Sequence, residues 1–172
     1  MRAFIFSLLA LAALSISTTQ ADEPSTKAEV FIFVAVDCPI ANSYAPEITR
    51  IYEAYADKGF TISLVYPDHT LSDDAMLKHR QEYSLKPQGV VDRKHHIVKR
   101  CKADVTPQAV VIDSDDQILY TGRIDDIYTG YGDRRKAPRV RNLRFALDAI
   151  LAGKPVEIKE TEALGCFIEP VE

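Results

Sequence analysis

The sequence predicts an α/β fold: a central mixed β-sheet flanked by helices. Val30-Phe31-Ile32-Phe33-Val34-Ala35-Val36 is a continuous apolar run rich in β-branched and aromatic residues, the pattern of a strand buried on both faces. A helical period and a second apolar run follow it, which makes a βαβ unit with two parallel strands. Farther on, the apolar segments 109–113 and 117–124 flank Ser114-Asp115-Asp116, a turn that joins them as an antiparallel hairpin, and an amphipathic helix closes the domain.

Each element has its own local reason. Met1 and Arg2 precede an apolar run over 3–14, broken only by Ser7, and small polar residues lead to Thr19-Gln20-Ala21. This reads as a secretory signal peptide, residues 1–21, cut near Ala21. The run is shorter than the ~20 apolar residues of a membrane span, and no Cys follows it to carry a lipid. Residues 22–28 are a polar lead-in with Pro24. The strand 30–36 ends at Asp37-Cys38-Pro39. Asn42 or Ser43 then caps a helix in which Pro46 occupies the first turn, Ile48, Ile51, Tyr52 and Tyr55 recur at helical spacing, and Gly59 is the stop. Residues 60–66 form the second strand. Ser72-Asp73-Asp74 opens a helix to about Tyr83, with its acids where the helix dipole favours them. Val90-Val91 is a short strand and 93–101 a short helix. Residues 125–139 show no hydrophobic period and form a surface loop. Its basic residues Arg134, Arg135, Lys136 and Arg139, with Arg141 and Tyr131 nearby, read as a solvated face; the alternative is a dock for an acidic partner. In 140–151, Leu143, Leu147, Ile150 and Leu151 share one face, and Gly153 ends the helix. The domain therefore spans 29–153, and 154–172 is a C-terminal extension carrying Gly165-Cys166.

Composition bounds the function. The chain has 172 residues, 47% of them hydrophobic and 27% charged, which suits one globular domain and excludes wholesale disorder. The net charge of −4 leaves no excess of Lys and Arg for nucleic-acid phosphates. The three cysteines, Cys38, Cys101 and Cys166, allow at most one internal disulfide. In an exported protein with an adequate core, few cysteines point to redox work rather than to stapling.

Cys38 stands where a strand opens into a helix, so helix amides and the positive dipole end favour its thiolate; the alternative is a small buried hydrophobe. Asp37 opposes the thiolate if its carboxylate points the same way. The βαβ reading also brings Asp68-His69 to the edge where Cys38 lies. His69 there suits a proton donor, or with a cysteine a soft-metal ligand. The four histidines His69, His79, His95 and His96 form no spaced Cys/His pattern, so no metal and no cofactor is expected; each His otherwise reads as an exposed polar residue.

Asp37-Cys38-Pro39-Ile40-Ala41 after a buried strand, Pro46 eight residues beyond Cys38, and Thr106-Pro107 directly before a strand that leads into a hairpin form an ordered set. The set resembles the thioredoxin-like superfamily, in particular its exported redoxin or AhpC/TSA-type domains, over residues 28–152. Two departures stand out. Ala41 occupies the place of the second cysteine of a Cys-x-x-Cys pair. Ala35 and Phe31 stand where peroxiredoxins have Thr or Ser and Pro. What remains is similar to redoxins with a lone Cys-Pro motif, which also tend to carry a C-terminal Gly-Cys.

The resemblance implies a thioredoxin-like fold and an exported redox protein acting on protein thiols, protein disulfides or peroxides through Cys38, with an external reductant. It implies a cis bond at Thr106-Pro107, facing the active cysteine, whose exposed backbone pairs with a bound peptide as an added strand. With Ala41 in the motif, a disulfide cycle needs another partner for Cys38. Cys166, in a tail that can fold back over the sheet edge, is favoured; Cys101, six residues before Pro107, is the other candidate, and either thiol is otherwise an inert core residue. The competing reading, from Ala41 and the four His, is a non-catalytic thioredoxin-fold binding module that holds copper.

Overall fold

The computed structural model describes residues 27–171. The signal-peptide reading of 1–21 and most of the lead-in fall outside the described residues. The chain runs through β1 (Ala28–Phe33), α1 (Pro39–Ser43), α2 (Ala45–Tyr55), β2 (Phe60–Tyr66), α3 (Asp73–Glu82), β3 (Gln88–Val91), α4 (His96–Cys101), β4 (Val105–Thr106), β5 (Gln108–Ile112), β6 (Ile118–Gly122), β7 (Tyr128–Gly130), β8 (Asp133–Arg134), α5 (Asn142–Leu151) and β9 (Cys166–Phe167).

Five strands form one mixed sheet in the order β3-β2-β1-β5-β6. β1 pairs in parallel with β2 and antiparallel with β5, and β5 and β6 form the expected hairpin. Alternation along β1 divides the core between the two faces of the sheet. Val30 and Ile32 pack with Ile48 and Ile51 of α2 and Leu143 and Leu147 of α5, all without exposed surface. Phe31 and Phe33 face the other way, with Val98 and Cys101 of α4 and Val110 and Ile112 of β5. Burying each such side chain contributes ~1.5–3 kcal/mol, so the apolar run of β1 anchors both layers.

Three differences from the sequence reading bear on the site, each for a local reason. β1 ends at Phe33 rather than Val36; the last sheet-like bond is Val34 N–H to Val65 O at 2.9 Å, and the chain then turns toward Cys38. The first helix is two helices. Pro46 has no amide to give, so α1 stops at Ser43 and α2 restarts at Ala45 with Pro46 in its first turn, as expected. Neither Asn42 nor Ser43 is the cap: Asn42 donates from Nδ2 to Val36 O and Ser43 from Oγ to Ile40 O, and Cys38 itself is the N-cap of α1.

The predicted surface loop contains the hairpin β7–β8, and its basic residues are partly tied down. Arg135 donates from Nε to Asp126 O, the Asp126 carboxylate accepts the Arg139 and Val140 amides, and Arg141 pairs with Glu47. Past α5 the tail runs beside β6, where Thr121 N–H donates to Lys159 O at 2.8 Å and Thr161 N–H to Thr121 O at 3.0 Å. It then crosses to β4, with which β9 pairs antiparallel.

Candidate active site

The site begins with the helix that Cys38 caps. The amide of Ala41, two residues inside α1, donates to Cys38 Sγ at 3.5 Å. A sulfur in the cap position takes the place of the usual Ser or Asp oxygen and meets the positive end of the local amides. On its other side the Cys38 thiol donates to Thr106 O at 3.1 Å, from β4. The Thr106–Pro107 bond is cis, as the resemblance implies.

The tail completes the enclosure. β9 pairs Cys166 with Thr106 and Phe167 with Val105, and Ile168 N–H donates to Asp104 O at 2.8 Å. The edge expected to be open to a bound peptide is thus occupied by the chain's own strand. Gly165 makes this approach possible, because a Cβ there would sit 2.0 Å from Thr106 O. Tyr131, in the turn between β7 and β8, donates from its hydroxyl to Gly165 O at 2.8 Å. The result is a distance of 2.8 Å between Cys166 Sγ and Cys38 Sγ, across 128 positions of sequence.

The two thiols differ sharply. Burial pushes the Cys38 thiol up, but the Cys166 thiol, the Ala41 amide and lesser contributions from the Cys166 backbone and the Thr106 side chain outweigh it and hold Cys38 below the ordinary cysteine value. The Thr106 carbonyl accepts from the neutral thiol and favours it, while the Thr106 hydroxyl donates to Cys166 O at 3.5 Å. Cys166 moves the other way. Partial burial raises it first, then its hydrogen bond to Cys38, the Cys38 charge and the charge of Asp37. The charge of Asp37 thus acts on Cys166 and widens the gap between the pair.

Cys101 belongs to neither thiol's surroundings. It packs in the smaller core with Phe31, Phe33 and Val98, and burial pushes its thiol up to about 12. This sets aside Cys101 as the partner of Cys38 in this conformation, and the physical reason is that α4 turns its apolar side, Cys101 included, onto the sheet.

The histidines divide. His69 is exposed and lines the same cleft as Cys166, as the parallel strand ends require, and His96 is exposed. His79 and His95 are buried, contrary to the exposed reading. His79 links the site to its scaffold. Asn42 donates its amide to Val36 O, so its Oδ1 accepts from His79 Nε2 at 2.9 Å, and His79 Nδ1 then accepts from the Tyr66 hydroxyl at 3.0 Å. Burial holds His79 below the ordinary imidazole value, consistent with the neutral ring this chain requires. The network ties α3 and β2 to the turn that presents Cys38. The sequence reading missed it, as it missed Tyr131 and the buried pair in which Tyr44 donates to Asp125 Oδ1 at 2.9 Å. Among the described residues no three His, Cys, Asp or Glu side chains converge to hold a metal ion.

Comparison with known proteins bears on the family and the fold. The family model for Redoxin matches residues 4–139. An uncharacterized conserved protein from Geobacillus kaustophilus has 26% identity and a TM-score of 0.73, over 87% of this chain and 81% of that one. A hypothetical protein from Sinorhizobium meliloti has 22% identity and a TM-score of 0.73, over 86% and 82%. A candidate thioredoxin from Neisseria meningitidis has 20% identity and a TM-score of 0.57, over 78% and 81%, and shares the fold. No curated protein sequence is significantly similar. With a sheet, a helix-capping cysteine and a facing cis-proline of this kind, and a family match over most of its length, the chain belongs to the Redoxin family and has a thioredoxin-like fold.

Proposed function

We propose that this chain is an exported thiol–disulfide redox protein that cycles between a Cys38, Cys166 dithiol and the disulfide between them. The observation that carries the reading is the 2.8 Å approach of the two sulfurs at the start of α1. A disulfide needs ~2.05 Å, so closure takes a movement of under ~1 Å. Cys38 is the thiolate member. It attacks when the pair closes and leaves when the pair opens, since a stabilised thiolate is the better leaving group. Thr106 and Pro107 form the wall that aligns Cys166 over it. The export reading is supported by the sequence of residues 1–21.

Two oxidants suit this pair. A disulfide substrate is reduced to two thiols as Cys38–Cys166 forms. A peroxide is attacked by the Cys38 thiolate to give a sulfenic acid and the alcohol or water, and Cys166 then condenses with it to the disulfide, releasing water. A dithiol reductant restores the protein in either case. The test follows consumption of a peptide disulfide and of hydrogen peroxide by the mature protein with dithiothreitol present. Cys38→Ser is expected to lose more than ~100-fold of whichever activity the wild type shows, the scale of removing a nucleophile. Wild-type rates in Cys38→Ser would overturn the proposal.

A further inference from the structure

The pair is lopsided toward solvent. Cys38 has no exposed surface, and its sulfur is enclosed by the Ala41 amide, the Thr106 carbonyl and the Cys166 thiol. Cys166 is exposed. Thiol–disulfide exchange requires a thiolate to reach one sulfur while the other departs, and access decides which. Cys166 opens into a cleft of about 430 Å³ between the segment after β2 and the tail, with Thr106 on its wall and Asp37, Asp68, His69 and Glu169 around it. Three carboxylates line this cleft, and no Lys or Arg does. Asp68 remains ionised: its slight burial is outweighed by the Thr70 hydroxyl and the Thr70 and Leu71 amides that bind its carboxylate. Phe167, 79% exposed, stands at the rim beside Cys166.

We propose that outside thiols enter the cycle at Cys166, from this acidic cleft, and that the partners it accepts are polypeptide segments whose cysteine is flanked by Lys or Arg. The inference rests on the Cys38–Cys166 redox pair proposed above. In the step, a partner thiolate attacks Cys166 Sγ of the oxidised protein. The bond from the partner sulfur to Cys166 forms, the Cys166–Cys38 bond breaks, and Cys38 leaves with the electron pair as the thiolate held by α1. A second thiolate of the partner then attacks the partner's own sulfur. It closes the partner's disulfide and expels Cys166, which takes up a proton. The protein is reduced by two electrons and the partner dithiol is oxidised by two. Basic flanks answer the carboxylates of the cleft, whereas an anionic thiol meets repulsion on approach.

Limited reduction of the oxidised mature protein tests both halves. Three small thiols serve as probes: cysteamine (cationic), 2-mercaptoethanol (neutral) and 2-mercaptoethanesulfonate (anionic). After acid quench and alkylation, peptide mapping locates the adduct. The adduct is expected on Cys166, with Cys38 alkylated. Rates per thiolate are expected to fall from cation to anion by about tenfold at low ionic strength and to converge in high salt. The paired change Asp37→Asn with Glu169→Gln should flatten that order, and the ratio of cation to anion within one variant is insensitive to general damage. An adduct on Cys38 overturns the point of entry, and equal rates for the three thiols overturn the partner chemistry. If oxidation yields no Cys38–Cys166 disulfide, the redox-pair reading fails first and this inference falls with it, an outcome distinct from the other two.

Discussion

Cys38 and Cys166 touch, yet their surroundings push them apart in acidity. Donors from α1 and from the tail favour the Cys38 thiolate more than burial opposes it, while burial, the Cys38 charge and Asp37 keep Cys166 protonated. Ultraviolet thiolate absorbance against pH is therefore expected to show a first ionisation below the free-cysteine value of ~8.5, lost in Cys38→Ser. Cys166→Ala should move it upward, since the Cys166 S–H donor disappears. A first ionisation at or above ~8.5 in the wild type contradicts this account of Cys38. Cys101→Ala, in contrast, is expected to leave that titration unchanged and to cost ~1–2 kcal/mol of stability in denaturant unfolding, through lost packing in the smaller core. At this scale the sequence made Cys38 readable, because a Cys-Pro at a strand-to-helix junction has a local electrostatic meaning. Tyr131 and His79 were not readable as site residues. Their partners Gly165 and Asn42 lie 34 and 37 positions away, and only the folded chain brings them together.

Among the elements, β9 decides whether the two sulfurs meet. It holds to β4 through two residue pairs, with Gly165 against Thr106 and the Tyr131 hydroxyl on Gly165 O. Gly165→Val is expected to lift the strand, because its Cβ would meet the Thr106 backbone. Iodoacetamide should then alkylate Cys38 at least ~10-fold faster, because the gain in exposure outweighs the thiolate lost with the tail donors. An unchanged rate would show that β9 does not cover Cys38. A second element contact is the buried Glu47, which joins α2 to α5 through Arg144 and Arg141 and also meets Arg50. Burial raises its carboxyl, but the Arg144 and Arg50 contacts outweigh that and hold it below the usual carboxylate range. Its contribution to stability is complete above the unfolded value of ~4.3 and is lost as pH falls through the lower folded value. Glu47→Ala is expected to cost ~1–2 kcal/mol near neutral pH, since its arginine partners stay partly in water, with the gap to wild type narrowing in acid; a pH-independent gap contradicts the ion-pair account. The main strands and helices were legible from period and punctuation. The break at Tyr44 was not, since it reflects one missing amide inside an otherwise helical pattern. The β7–β8 hairpin and β9 were not, since two- and three-residue strands carry no period.

For the molecule as a whole, the proposed cycle links redox state to stability. The two thiols are free in the structure, and a disulfide between them, 128 positions apart, would close most of the described chain into one loop. By chain entropy such a loop restricts the unfolded state by about 4–5 kcal/mol, an upper figure because stabilising the Cys38 thiolate favours the reduced form. The oxidised protein is thus expected to unfold several degrees above the reduced one, with the difference absent in Cys166→Ser and retained in Cys101→Ala. The mixed sheet, the two-layer core and the position of the site at the end of β1 followed from the βαβ unit and the hairpin. The reach of the tail over the sheet edge is the favoured reading among several, with Cys101 as the other partner and inert thiols as the rest, because nothing local ties residue 166 to residue 38. The most direct test of the central claim is the disulfide map of the mature protein after mild oxidation and alkylation under native conditions. A single cross-linked peptide pair joining Cys38 to Cys166 is expected, with Cys101 alkylated only after unfolding. A bond from Cys38 to Cys101, or three free thiols under conditions that oxidise exposed dithiols, would contradict it.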